Sequence, residues 1–157
     1  MKVLLNRLVC ATLVALSMAH ANAADSSPPV NDRLAAARAY IAAKQWDSAL
    51  GELKRVDDRE SADWNNLMGY SLRKAAAPDL DASEAHYNAA LRINPAHQGA
   101  LEYSGELYLL KNQLALAEQQ LARLDKICTL PCAEYSNLKK AVERYKVSGG
   151  RAAARDY

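Results

Sequence analysis

The stretch QGALEYSGELYLLKNQLALAEQQLARLDKICT, residues 98–129, decides the fold of this 157-residue chain. Small and apolar side chains recur in it at the spacing of two short helices that pack together: Gly105, Tyr108, Ala117, Leu121 and Leu124. Residues 62–95 carry equivalent side chains: Gly69, Leu72, Tyr87, Ala90 and Pro95. A weaker copy begins near residue 30. A period of about 34 residues predicts an array of helical hairpins, an architecture that typically holds other molecules.

The three copies predict an all-α fold of three helix pairs and one closing helix. Copies at about 30–61, 62–95 and 98–129 each supply one pair, and the closing helix follows at 133–147. Leu34, Ala37 and Ile41 have the spacing of the first helix. The predicted ranges of the next five helices are 46–56, 62–74, 82–93, 96–110 and 114–127. Because no alternating period of two extends over a useful length, we expect no strands.

Small residues and apolar stripes predict how these helices pack. We expect the two helices of a pair to cross closely at four small residues: Gly69, Gly105, Ala90 and Ala117. An inward stripe is predicted on the sixth helix by Leu114, Ala117, Leu121, Leu124 and Cys128. A second stripe closes the array through Tyr135, Leu138, Val142 and Tyr145.

The first 23 residues have the pattern of a secretory signal peptide. A basic start containing Lys2 and Arg7 precedes an apolar run of about a dozen residues and an Ala-x-Ala site that ends at Ala23. The run is shorter than the roughly 20 residues that a membrane span needs. We therefore predict cleavage, a periplasmic or secreted protein and no stable membrane insertion. A disordered lead-in over 24–31, a folded domain over 32–147 and a flexible tail over 148–157 complete the chain.

Cleavage also changes the charge of the protein. The chain has 20 Lys and Arg residues, of which Lys2 and Arg7 leave with the signal, so 18 remain against 18 Asp and Glu. A net charge of zero gives no electrostatic basis for a nucleic-acid or anionic-membrane partner. We expect neither.

Cys128 and Cys132 are the two cysteines that remain after cleavage. In an oxidising compartment a disulfide between them would join the closing helix to the third pair. Two alternatives stay open, a redox-active pair and a soft-metal site. The usual redox motif has two intervening residues, and no His, Met or third Cys lies close by in sequence to complete a metal site.

The sequence offers no other pattern of reactive residues. Ser148-Gly149-Gly150 has neither the following helix nor the lysine of a phosphate-binding loop. Acidic pairs such as Glu102 and Glu106 are common on helix surfaces. We predict no catalytic site, no metal site and no cofactor.

The residues quoted above resemble the tetratricopeptide repeat family. The match is best over 98–129, extends to 62–95 with Ser83 where the family prefers alanine, and lacks the closing proline in 30–61. His97–Tyr103 together with the cysteine pair is similar to small exported bacterial members. The resemblance implies a helical-hairpin solenoid whose concave groove is lined by the first helix of each pair. Projecting the repeat places these residues in the groove: Asn31, Arg38, Asp63, Asn66, Tyr70, Arg73, Glu102, Glu106 and Leu109.

The mixed charge of that groove favours a polypeptide segment of mixed charge over a bare terminal carboxylate. We expect a monomeric, non-catalytic adaptor or assembly factor that binds a protein or peptide. One alternative is a thiol-redox or metal carrier that uses the cysteine pair, and another is a structural subunit of a larger envelope complex.

Overall fold

Seven helices and no strand make up residues 32–130 and 132–150, the part of the chain that the computed structural model describes. In chain order they are α1 (Ala35–Ala42), α2 (Trp46–Val56), α3 (Ala62–Lys74), α4 (Leu80–Ile93), α5 (Gln98–Leu110), α6 (Leu114–Ile127) and α7 (Ala133–Val147). The all-helical prediction is confirmed for these residues.

The predicted bounds of α2, α3, α6 and α7 agree with the structure, whereas the predicted starts of α4 and α5 are wrong by two residues. The Asp79 carboxylate accepts a hydrogen bond from the Ala82 backbone nitrogen at 2.9 Å, so α4 is capped earlier than expected. α5 begins later because the Asn94 side chain accepts from the Ala96 nitrogen and holds a turn there. The His97 imidazole then caps α5.

The turns inside the first and third helix pairs have the same conformation. Lys44, between α1 and α2, and Asn112, between α5 and α6, adopt left-handed backbone angles with φ of 57° and 58°. Both turns close with the same two backbone hydrogen bonds to the preceding helix. The middle pair is joined by the longer segment 75–79.

Each helix pair packs internally, and the odd-numbered helices adjoin one another. Besides the contacts within the pairs, α1 touches α3, α3 touches α5, and α5 touches α7. In addition, α2 packs on α3, α4 on α5 and α6 on α7. Within the described residues, the backbones of α2 and α4 do not adjoin, and neither do those of α4 and α6. The odd-numbered helices therefore form a common surface while the even-numbered helices lie apart.

Two apolar clusters lie between these helices. One joins Leu34, Ala37, Leu53, Val56, Trp64 and Met68 of the first three helices. The other joins α5, α6 and α7 and contains both predicted stripes, which are confirmed as inward-facing: Leu114, Ala117, Leu121, Leu124 and Cys128 on α6, and Tyr135, Leu138, Val142 and Tyr145 on α7.

The two helical glycines at the predicted crossings have different neighbours. A Cβ on Gly69 would lie 2.7 Å from the Tyr87 ring of α4, which confirms the close crossing within the middle pair. A Cβ on Gly105 would lie 2.5 Å from Leu138 of α7. The prediction that Gly105 serves the crossing with α6 thus needs correction, since its three nearest neighbouring atoms all belong to α7.

Residues 1–31, Pro131 and 151–157 lie outside the described residues. The signal peptide, the lead-in and most of the predicted tail therefore stay predictions. Within the described part of the chain, no helix combines the length and the apolar character needed to span a membrane.

Candidate binding surface

The surface on which α1, α3, α5 and α7 adjoin, here called the odd-helix face, is held together by polar contacts between helices. Near the start of α3, Asp63 accepts from Arg38 of α1 at 3.1 Å and from the His97 ring at 3.0 Å. The His97 Nδ1 atom accepts from the Ala100 backbone nitrogen, so the ring proton is on Nε2 and is donated to Asp63. Asp63 thus links α1, α3 and the N-terminus of α5 at one end of the face.

Further along the face, a buried polar pair joins α3 to α5 and a partly buried one joins α5 to α7. The Arg73 guanidinium donates from Nη2 to Glu106 Oε2 at 2.8 Å, and the exposed fractions of these side chains are 1% and 12%. The Asn137 side chain donates to Glu102 Oε1 at 2.9 Å. Because buried polar groups require partners, these contacts fix the relative positions of the three helices.

An aromatic cluster surrounds the buried arginine. The Tyr70 ring lies 4.6 Å from the Tyr103 ring and 5.9 Å from the Trp46 ring, between ring centres, and all three side chains are half-buried. The Arg73 guanidinium carbon lies 5.5 Å from the Tyr70 ring centre and 5.6 Å from that of Tyr103, within cation–π range. Tyr70 and Tyr103 lie on α3 and α5, and Trp46 is the first residue of α2, so the cluster places flat, amphipathic surfaces on the odd-helix face and at its border with the α1–α2 turn.

Burial shifts several pKa values on this surface. Desolvation raises the pKa of the Glu102 carboxyl to about 7, and the nearby carboxylates of Glu106 and Glu134 raise it further against the effect of Asn137 and Arg73. Desolvation also raises the pKa of Tyr103 to about 12. Glu102 is therefore a carboxyl group whose charge changes near neutral pH.

The nine predicted groove residues fall into three groups: residues that reach the surface, residues that are covered, and two that do not contribute to the face. Arg38 and Asp63, with exposed fractions of 42% and 58%, and the half-buried Tyr70 reach the surface. Four others are largely covered and support the odd-helix face from within: Asn66, Arg73, Glu102 and Glu106. The prediction that these four present open groove side chains is corrected, because each is covered by the adjoining helices.

Leu109 and Asn31 do not contribute to the face. Leu109 is 0% exposed and belongs to the apolar cluster of α5, α6 and α7, so its predicted groove position is wrong. The projection omitted α7, which packs along α5. Asn31 lies outside the described residues.

The sequence analysis missed Trp46 and Tyr103 as parts of this surface. A signal for the face does exist, because its polar contacts join residues about one repeat apart. Arg73 and Glu106 are separated by 33 positions, Asp63 and His97 by 34, and Glu102 and Asn137 by 35. A search for complementary side chains at the repeat spacing finds these pairs.

Cys128 and Cys132 stand at the end of α6 and the start of α7, where they are the C-cap and N-cap residues. Their sulfur atoms lie at disulfide distance, with Cα atoms 5.9 Å apart. The position agrees with the predicted link between the closing helix and the third pair.

Metal-binding geometry was sought throughout residues 32–130 and 132–150. No group of three or more His, Cys, Asp or Glu side chains in these ranges is arranged to hold a metal ion.

No protein-family model matches the chain, and no curated protein matches it at a significant level of similarity. The function therefore has to be argued from the geometry above.

Proposed function

We propose that this chain is a non-catalytic binding protein that holds a protein or peptide segment on the odd-helix face. The observation that carries the proposal is the half-buried aromatic cluster of Trp46, Tyr70 and Tyr103 around Arg73. Tyr, Trp and Arg are the residues that contribute most binding energy at protein interfaces. A cluster of them at the centre of a helical surface is a suitable anchor for a partner.

The contacts between the odd-numbered helices support this role. Polar pairs at Arg38–Asp63, Arg73–Glu106 and Asn137–Glu102 join each odd helix to the next. A surface fixed in this way loses little conformational freedom when a partner binds. We propose that rigidity, rather than a catalytic group, is what the polar interior contributes.

The proposed architecture is a solenoid of three helical hairpins and a closing helix, similar to tetratricopeptide repeat proteins. Its supports are the matching turns at Lys44 and Asn112 and the polar contacts at one-repeat spacing. The segregation of odd-numbered helices onto one surface is what a curved array of hairpins requires.

We further propose that the protein acts after export, as an adaptor or assembly factor in the periplasm. The signal-peptide pattern of residues 1–23 and the pairing of Cys128 with Cys132 support an oxidising compartment. The position of the pair, between the ends of two helices, favours a structural bridge over a thiol or metal carrier.

A photo-crosslinking amino acid placed at Tyr70, in cells, tests the proposed function. The expected result is one dominant adduct, identified by mass spectrometry, whose yield falls when Trp46 is changed to Ala. The matched control carries the same crosslinker at Asn88, an exposed residue of α4 on the other side of the hairpin. Equal adducts from both positions, or none from Tyr70, would reject the odd-helix face as the binding surface.

A further inference from the structure

A cleft of about 490 Å³ opens beside the aromatic cluster, between the α1–α2 turn and the end of α3. Its lining consists of Lys44, Trp46, Tyr70, Arg73, Lys74, Ala75 and Pro78. Three of these residues are cationic, and none is acidic. The cleft is therefore a positively charged extension of the odd-helix face.

The buried arginine of this cleft has fewer acceptors than it has donors. Arg73 uses Nη2 to bind Glu106, but Nε and Nη1 have no hydrogen-bond partner although the side chain is only 1% exposed. A buried donor without an acceptor is unfavourable, because it has given up its hydrogen bonds to water. Because the donors of Arg73 are charged, an additional negative group close to them would be stabilised.

Lys74 lines the cleft beside two further cations, Arg73 and Lys44. Burial and Arg73 lower its pKa, Glu106 opposes them, and Lys44 lowers it further. An anion in the cleft would offset the repulsion among these cations. Asp47 lines an adjoining hollow that shares Lys44 and Trp46, and Glu106 pairs with Arg73, but neither carboxylate belongs to the lining of the cleft itself.

The aromatic walls of the cleft favour an anionic group that has an apolar group next to it. Trp46 and Tyr70 meet edge to face, with an angle of 73° between their rings, and both line the opening. Such surfaces pack against apolar or aromatic groups. A suitable occupant thus combines a carboxylate with an adjacent apolar side chain.

We infer that the cleft receives an acidic side chain of the bound polypeptide, with Lys44 and Lys74 contacting the carboxylate and a neighbouring apolar side chain packing on Trp46 and Tyr70. Arg73 adds positive charge from beneath. This inference rests on the proposed function and specifies the chemistry of the partner.

Arrays of short synthetic peptides test the inference, each sequence being present in three versions that differ only by Glu, Gln or Lys at one position. The purified protein is expected to retain Glu versions about tenfold better than the matched Gln versions, which corresponds to 1.4 kcal/mol. In Lys44→Glu/Lys74→Glu the preference should reverse toward the Lys versions. A reversed preference is a gain that a misfolded variant cannot produce, and Lys44→Gln/Lys74→Gln should simply lose the preference.

The matched control is Lys54→Glu/Lys126→Glu, which changes net charge equally at exposed positions on α2 and α6. It should keep the preference for Glu. Retention that depends on Tyr70 but is equal for Glu and Gln versions would overturn the inference and leave the proposed function standing. If no version of any peptide is retained by the unmodified protein, both are overturned.

Discussion

Two regions of the molecule, the α3–α4 pair and the C-terminal part formed by α5, α6 and α7, have helices of similar length. Each contains a glycine that allows a neighbouring side chain to approach closely, but their interiors differ. Gly69 admits the Tyr87 ring, and the Ser83 hydroxyl donates to the Gly69 carbonyl at 2.9 Å. Gly105 admits Leu138, in a cluster of leucines, alanines and tyrosines. The middle pair buries more polar side chains than the C-terminal part, five (Asn65, Asn66, Ser71, Arg73 and Ser83) against three (Glu102, Ser104 and Gln120).

The distribution of unsatisfied atoms follows the same division. Within the described residues, the buried side-chain atoms that lack a hydrogen-bond partner are Asn66 Oδ1, Ser71 Oγ, Arg73 Nε, Arg73 Nη1 and Tyr87 OH. All five belong to α3 and α4. Buried polar atoms that lack hydrogen-bond partners reduce the stability of the fold. Burial of the apolar cluster around α7 increases it. Tyr70 and Arg73, which belong both to the aromatic cluster and to the cationic cleft, lie on α3 of this pair. On the proposed function, binding therefore centres on the pair that carries the unsatisfied atoms.

The largest expected effect comes from removing the partner of the buried arginine in the α3–α4 pair. Glu106→Ala should lower the free energy of unfolding by about 4 kcal/mol, because it leaves the Arg73 charge buried and unpaired. Chemical denaturation measures this. Removing both charges in Arg73→Met/Glu106→Leu should restore most of the stability, since an apolar pair of similar size needs no partner. Equal losses in the single and double variants would mean that the pair itself stabilises the fold.

The C-terminal part is tested by Gly105→Leu. The new side chain would overlap Leu138, whose methyl groups already approach within 2.5 Å of the position of a Cβ atom. Overpacking of this kind costs about 3 kcal/mol, seen as a lower thermal midpoint. Gly51→Leu is the matched control, because a Cβ at Gly51 meets nothing within 4 Å and the change removes a flexible residue from a helix. An unchanged midpoint in Gly105→Leu would contradict the close packing of α7 on α5.

Most of the helix ends were predictable because local chemistry determines them. The bounds of α2, α3, α6 and α7 follow from apolar spacing and from flanking charged or turn residues. The errors at α4 and α5 lie at helix starts, where the capping side chains Asp79 and His97 determine the first turn. Helix ends are local properties, so a single sequence contains them.

The candidate surface was less predictable, because it depends on which helix packs beside which. Projecting one repeat gave Tyr70 a surface position but could not show that Leu109 is covered by α7. The same projection assigned Gly105 to its own pair, whereas its nearest neighbours belong to α7. Contacts between helix pairs depend on how one pair packs on the next, and the spacing of residues within one pair does not contain that information.

The pH dependence of stability sharpens the comparison at a buried polar group of the C-terminal part, Glu102 of α5. Glu102 has a pKa of about 7 in the folded chain against about 4.5 in the unfolded chain. Between these values the folded state holds a proton that the unfolded state has released, so stability falls as pH rises and the loss is complete above pH 7.

Glu102→Gln, which keeps an acceptor for Asn137, should therefore match the unmodified protein near pH 4. Near pH 8 it should exceed the unmodified protein by on the order of 3 kcal/mol. Denaturation at a series of pH values measures the difference, and the exposed Glu143→Gln on α7 is the control. A difference that does not change with pH would show that Glu102 is not buried as a neutral acid.

The smallest effect is expected at the link between the third pair and α7. Cys132→Ser opens a loop of only a few residues, for which the chain-entropy estimate gives a loss of about 2 kcal/mol. Cys128→Ser/Cys132→Ser should lose no more than the single variant, because one bond is removed in both. Crosslinking from Tyr70 should persist in both variants, since the pair lies at the junction of α6 and α7 and the aromatic cluster lies over α3 and α5. Lost crosslinking with unchanged stability would instead assign the thiols to binding, and binding would no longer centre on the α3–α4 pair.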